Sequence, residues 1–115
     1  MTFRLFYKDI EVGTIEQIGY DFPRVCGRYK LSESIAREQE LIFHYIEFSI
    51  QASTMFEENE EKWLEFWLAE KPKHISLIDS DDWKLIHENQ EAFRIAVPNF
   101  LEKNEVIWVP DVREI

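Results

Sequence analysis

From about residue 33 to residue 56 the chain reads as one helix that is apolar over well over half of its circumference. Leu41, Ile42, Phe43, Tyr45, Ile46, Phe48, Ile50, Ala52, Met55 and Phe56 fill the apolar arc. Glu40, His44, Glu47, Gln51 and Thr54 make only a narrow polar stripe. A helix on the surface of a domain needs an apolar arc of about 100° or a little more. This one must therefore be covered on two sides. It is either central to the fold or covered by a second copy of the chain, and its width predicts a homodimer.

The flanking segments supply strands. Residues 3–7 and 12–20 read as a hairpin joined by a short turn at Lys8–Glu11. In the second strand the apolar residues do not fall on one side, and Gly13 and Gly19 mark a bulge or a close backbone approach. Asp21, Phe22 and Pro23 break that strand. Residues 24–31 alternate best: Val25, Gly27, Tyr29 and Leu31 on one side, Arg24, Cys26, Arg28 and Lys30 on the other. Ser32 or Ser34 can cap the long helix. Glu57 to Lys71 reads as a second helix or as a bent continuation of the first, with Glu57, Glu58, Glu60 and Glu61 in its first turn and Pro72 as its stop. Residues 75–78 are too short to assign. After a turn at Asp79–Asp82, strands are expected at 83–87, 92–97 and 106–109, with turns at Asn89-Gln90 and from Pro98 to Glu105. The order of elements predicts an α+β fold: a mostly antiparallel sheet of five or six strands packed against one long and one shorter helix.

With 115 residues, 45% of them hydrophobic, the chain is expected to form a single domain, 1–115, with a core that needs no staple. Cys26 is the only cysteine, so no intrachain disulfide can form and nothing marks an oxidising compartment. The opening residues lack a secretory pattern, and no run approaches the ~18 apolar residues of a membrane span. The expected location is the cytoplasm, with no membrane contact. A net charge of −10 argues against nucleic acid, which needs clustered Lys and Arg. The small basic group Arg24, Arg28, Lys30 and Arg37 reads more simply as a solvated edge.

The acid is unevenly placed. Residues 1–56 carry 8 acidic and 6 basic side chains, and residues 57–115 carry 15 and 7. The acidic half opens with Glu57, Glu58, Glu60 and Glu61 and runs into Trp63, Phe66 and Trp67. Acid beside aromatics suits a surface that meets a basic protein. The plainer reading of Trp63, Phe66 and Trp67 is core, docking the second helix on the sheet; the two can coexist.

The chemical constellations are weak. Asp79, Asp81 and Asp82 lack the mid-loop Gly and distal Glu of a calcium loop, and read as a solvated turn. His44, His74 and His87 form no zinc spacing. Cys26 reads as a structural thiol in a strand, and no nucleophile elbow or phosphate-cradling loop is present. No cofactor or metal is implied, and catalysis is not favoured. Were there a pocket between sheet and helices, its candidate polar groups would be Arg28, Tyr29, His44 and Glu47.

Gly13-Thr-Ile15, Asp21-Phe22-Pro23 and Gly27-Arg-Tyr29, followed by an amphipathic helix, then Ile95-Ala-Val-Pro98 and Val106-Ile-Trp108, resemble a set of small uncharacterised bacterial proteins that includes the toxin-immunity type. The pattern covers about a third of the chain, and Arg24 stands where such proteins often have an aromatic residue. The resemblance implies an α+β fold and a bacterial origin, and transfers no catalytic residue. The leading expectation is a small acidic protein-binding module, an immunity or antitoxin-like protein that neutralises a basic partner. The alternatives are a small-ligand binder or enzyme with a pocket between sheet and helices, and a structural subunit of an assembly.

Overall fold

The N-terminal third forms an antiparallel meander of β1 (Thr2–Tyr7), β2 (Ile10–Asp21) and β3 (Arg24–Leu31). The computed structural model describes residues 1–21, 23–88 and 90–110; Phe22 and Asn89, both placed in turns by the sequence, lie outside these, as do 111–115. In β1 the alternation is regular, with Phe3, Leu5 and Tyr7 buried. In β2 it breaks twice. Val12 is an extra residue opposite the Leu5–Phe6 step, and Ile18 is one opposite Gly27 and Cys26. Each bulge shifts the register by one, which is why no single face of β2 reads as apolar. Gly13 and Gly19 follow the bulges as expected. Neither has a positive φ; the need is for space. A Cβ at Gly13 would collide with the Lys30 carbonyl oxygen, and one at Gly19 would lie 2.7 Å from Cys26 Sγ. In β3 the expected alternation holds: Val25 and Gly27 are buried, while Arg24, Arg28 and Lys30 are exposed.

The helical stretch differs from the expectation of one long helix beginning near residue 33. Gln39 leaves the helical region (φ −122°, ψ 66°) and separates α1 (Glu33–Glu38) from α2 (Glu40–Glu58). The kink falls between a first turn tethered to the sheet and a helix fixed by other contacts. On the tethered side, Ser32 N–H donates to Val12 O at 2.9 Å. Ser32 holds the N-cap position, but its hydroxyl makes no cap bond. The second break is also displaced. α2 continues through Glu58, and α3 (Glu60–Glu70) starts after Asn59. Only Glu60 and Glu61 therefore lie in the first turn of α3; Glu57 and Glu58 close α2 instead. The cause is Asn59, a strong N-cap residue, whose side chain accepts from Glu61 N (3.0 Å) and Lys62 N (3.2 Å).

A 3-10 turn at Lys71–His74 leads to the single helical turn α4 (Ile75–Ile78), where the Trp83 indole donates to Leu77 O at 3.0 Å. The remaining strands are β4 (Trp83–Ile86), β5 (Phe93–Arg94), β6 (Asn99–Phe100) and β7 (Glu105–Trp108). They complete an antiparallel seven-stranded sheet of order β5-β4-β1-β2-β3-β7-β6. That exceeds the expected five or six strands, because β6 lies inside the segment taken for a turn. The expected strand at 92–97 shrinks to β5 and a bridge between Ile95 and Pro110.

The helices cover one face of the sheet. Phe3, Leu5, Ile15, Leu85, Val106 and Trp108 meet Ile35, Ile42, Tyr45 and Ile46 in one buried cluster. The opposite face carries exposed Arg4, Glu16, Arg28, Lys30 and Glu105, with Arg28 in register with Glu16 and Glu105. α2 also covers the β6 edge of the sheet. Tyr45 Oη donates to Pro98 O (2.7 Å), Phe100 N–H donates to Ser49 Oγ (2.8 Å), and Ser49 Oγ donates to Phe100 O (3.2 Å). Side chains thus satisfy backbone groups that an open edge would offer to another strand. On its other side α2 is covered by α3. Most of the wide apolar arc is thus met by the chain itself, while Leu41 and Phe56 at its two ends stay 52% and 49% exposed.

Candidate functional site

α3 lies over Phe48 of α2. The Phe48 ring stacks on Phe66 (5.6 Å), Trp67 (5.3 Å) and His74 (4.6 Å). Trp63 stacks on Trp67 (6.0 Å) and meets Phe56 edge-on (5.1 Å). Trp63, Phe66 and Trp67 are half-buried and pack against the core, but they dock α3 on α2 and not on the sheet as expected. The outward side of α3 instead presents Leu64 and Leu68, 48% and 65% exposed.

Two clefts flank this contact and share only Phe48. The first, of about 490 Å³, has Ser49, Ala52, Ser53 and Phe56 of α2 as its floor. Trp63 and Trp67 form one wall; Asn99, Leu101 and Ile107 form the other. Exposed Arg24 and Glu57 stand at its rim. Two of the aromatics singled out in the sequence therefore line a cavity while packing on the core. Glu57, Glu58, Glu60 and Glu61 are all exposed at the α2–α3 corner beside it. Among the described residues, none of these four carboxylates is held in an ion pair. Arg24, Asn99, Leu101 and Ile107 were not visible as site residues in the sequence. Arg24, Asn99 and Ile107 come from β3, β6 and β7 and Leu101 from the residue after β6, far along the chain from α2 and α3, and no short-range spacing announces them.

The second cleft, of about 420 Å³, is lined by Leu41, His44, Glu47 and Gln51 of α2, Phe66 and Glu70 of α3, and Lys73 and His74 of the 3-10 turn. Lys73 pairs with Glu70 at 3.0 Å, and His44 lies 3.9 Å from Glu40. His74 is only 7% exposed, and its Nδ1 has no hydrogen-bond partner. Burial holds its imidazole below the ordinary histidine value; Glu70 pulls the other way, and His44 and Lys73 add to the lowering.

The pocket residues expected from the sequence are thus only half assembled. His44 and Glu47 share the second cleft. Arg28 is on the far face of the sheet, because β3 alternates about Gly27 and Tyr29. Tyr29 packs edge-on against Phe100 at 5.0 Å, and burial raises its phenol pKa. Cys26 shares the outer sheet face with Arg28, in register with Gly19 and Ile107, and the helical layer holding His44 and His74 lies on the other face. The Asp79–Asp82 turn serves structure: Asp82 N donates to Ser80 Oγ (3.0 Å), and Asp82 O accepts from Lys8 N (3.0 Å). Among the described residues, no three His, Cys, Asp or Glu side chains come together to hold a metal ion, and no helix is long and apolar enough to cross a membrane. Comparison of the chain with family models, curated proteins and solved structures gave no match.

Proposed function

We propose that this chain is a protein-binding module that engages a basic partner through the acidic corner and the adjoining aromatic cleft. The observation that carries the reading is the juxtaposition of four carboxylates outside any ion pair among the described residues with a cleft walled by Trp63 and Trp67. Unneutralised acid speeds encounter with a basic protein, and an aromatic cleft supplies the desolvated contact that slows its departure. An immunity or antitoxin-like role, in the cytoplasm and against a basic enzyme such as a nuclease, is the concrete form of this proposal.

Tagged protein captured on lysate of its own host tests the reading, with the Glu57→Lys, Glu58→Lys, Glu60→Lys, Glu61→Lys variant as control. The expected outcome is a basic protein retained by the parent at low salt, reduced at high salt and absent from the variant. Equal retention by both would remove the acidic corner from the argument. The second cleft favours a second reading, binding of a small polar ligand beside His74, through its mixture of Glu47, Gln51, Lys73 and a buried unpartnered nitrogen. A metabolite-library melting screen tests it; no shift in melting temperature with any compound would count against it.

A further inference from the structure

We infer that the cleft between α2, α3 and the β6–β7 end receives an arginine side chain of the partner. This rests on the protein-binding reading and names the chemistry of the contact. Three features of the cleft select a guanidinium over an ammonium or an apolar anchor.

The first is the aromatic wall. Trp63 and Trp67 stack within 26° of parallel and both line the cleft. Indole faces attract cations, and the planar guanidinium also stacks on them, being less strongly hydrated than an ammonium. Lys71 Nζ, 5.8 Å from the centroid of the Trp67 ring, is a cation of the chain's own that an incoming guanidinium must compete with or displace there. The second feature is a set of acceptors. Ser53 Oγ gives its proton to Ser49 O (2.9 Å), so its lone pairs remain for incoming donors. Asn99 and Glu57 are also among the residues that line the cleft. A guanidinium brings five N–H donors in a fixed fork, and an ammonium three. The third is the floor. Ala52 and Phe56 offer apolar surface on which the methylene stem of an arginine can lie while its head stays polar.

Arg24 at the rim bears on this directly. It carries the same charge as the guest, and it lies in register with Asp21 on β2. Its repulsion opposes the guest and favours the Glu57 end of the cleft. Removing the Arg24 charge should therefore strengthen binding, a sign that a merely structural role for the cleft does not produce.

The test uses the full chain and two blocked hexapeptides of equal charge, hexaarginine and hexalysine, at about 50 mM salt. Trp83 and Trp108 are 0% and 2% exposed, so changes in tryptophan emission report Trp63 and Trp67. Hexaarginine is expected to bind roughly tenfold more tightly than hexalysine. Glu57→Gln should cut this preference to roughly threefold or less, and Arg24→Gln should tighten hexaarginine binding by a similar factor. Equal affinity for the two peptides would overturn the arginine cleft. It would leave the basic-partner reading intact if the fourfold Glu-to-Lys variant abolishes both affinities. Failure of both peptides to bind would count against both. An arginine preference unchanged by both Glu57→Gln and Arg24→Gln would place the contact outside this cleft and overturn the proposal.

Discussion

Ser49→Ala removes one oxygen from the middle of α2 and should cost more than any other hydroxyl deletion on that helix. Ser49 is 5% exposed, and its oxygen serves both backbone groups of Phe100, accepting from the N–H at 2.8 Å and donating to the carbonyl at 3.2 Å. Phe100 is fully buried on the edge strand β6, so water does not replace the lost partners. An unsatisfied buried donor or acceptor costs about 1–3 kcal/mol. The longer bond to the carbonyl belongs at the low end, so the pair amounts to about 2–4 kcal/mol. That is a large part of the roughly 5–15 kcal/mol expected for a domain of this size. With a urea dependence of about 1.5 kcal/mol per molar, the unfolding midpoint should fall by about 1–3 M. Ser53→Ala is the control. Its hydroxyl only bonds back to the Ser49 carbonyl, whose helix bond remains, so its cost should stay below about 0.5 kcal/mol. Urea unfolding followed by far-UV circular dichroism measures both. A Ser49→Ala loss no larger than that of Ser53→Ala, with the Phe100 amide still protected from hydrogen exchange, would refute the idea that Ser49 closes the sheet edge.

Three further outcomes are expected. Gly13→Ala should destabilise by about 1–3 kcal/mol, because its Cβ meets the backbone of Lys30 and not a movable side chain; a chemical-denaturation curve superimposable on the parent would contradict this. Asn59→Ala should cost about 1 kcal/mol by uncapping α3, measurable as a lower thermal midpoint, whereas Asn59→Asp should stay close to the parent. Burial depresses the His74 pKa, so the unfolded chain takes up a proton near pH 6.5 before the folded chain does. The His74 contribution is therefore complete above pH 6.5 and declines as pH falls below it. His74→Phe keeps a ring against Phe48 and should flatten the loss of stability between pH 7.5 and 5.5; an unchanged slope would assign the acid sensitivity to other groups.

The sequence carried its local physics well. The alternation in β3, the bulges signalled by Gly13 and Gly19, and the need to cover α2 on two sides all follow from residue spacing, and each is present in the fold. The breaks were placed less well. Charge pointed to a helix start at Glu57, but the cap at Asn59 decides it, because a side-chain acceptor for two end amides outweighs the weak pull of the helix dipole on exposed acids. The strand β6 could not be read from two residues after a proline. Its stability comes from Tyr45 and Ser49, about fifty positions earlier. The clefts were beyond local reading for the same reason. Trp63, Trp67 and Glu57 stand out in the sequence, but Arg24, Asn99, Leu101 and Ile107 reach them only through the order of strands in the sheet.

That strand order also bears on how the protein is made. The meander β1–β3 leaves the ribosome before the other four strands, yet it is the middle of the finished sheet, and neither of its flanks is closed until those strands follow. β4 must arrive beside β1, and β7, some eighty residues after β3, must arrive beside β3. Until then a nascent chain displays two open strand edges at once, each able to recruit another unfinished chain. Termination before Glu105 leaves the β3 edge open, since β6 reaches the sheet only through β7. Stalled or clipped products of this protein should therefore aggregate and not persist as smaller folded forms.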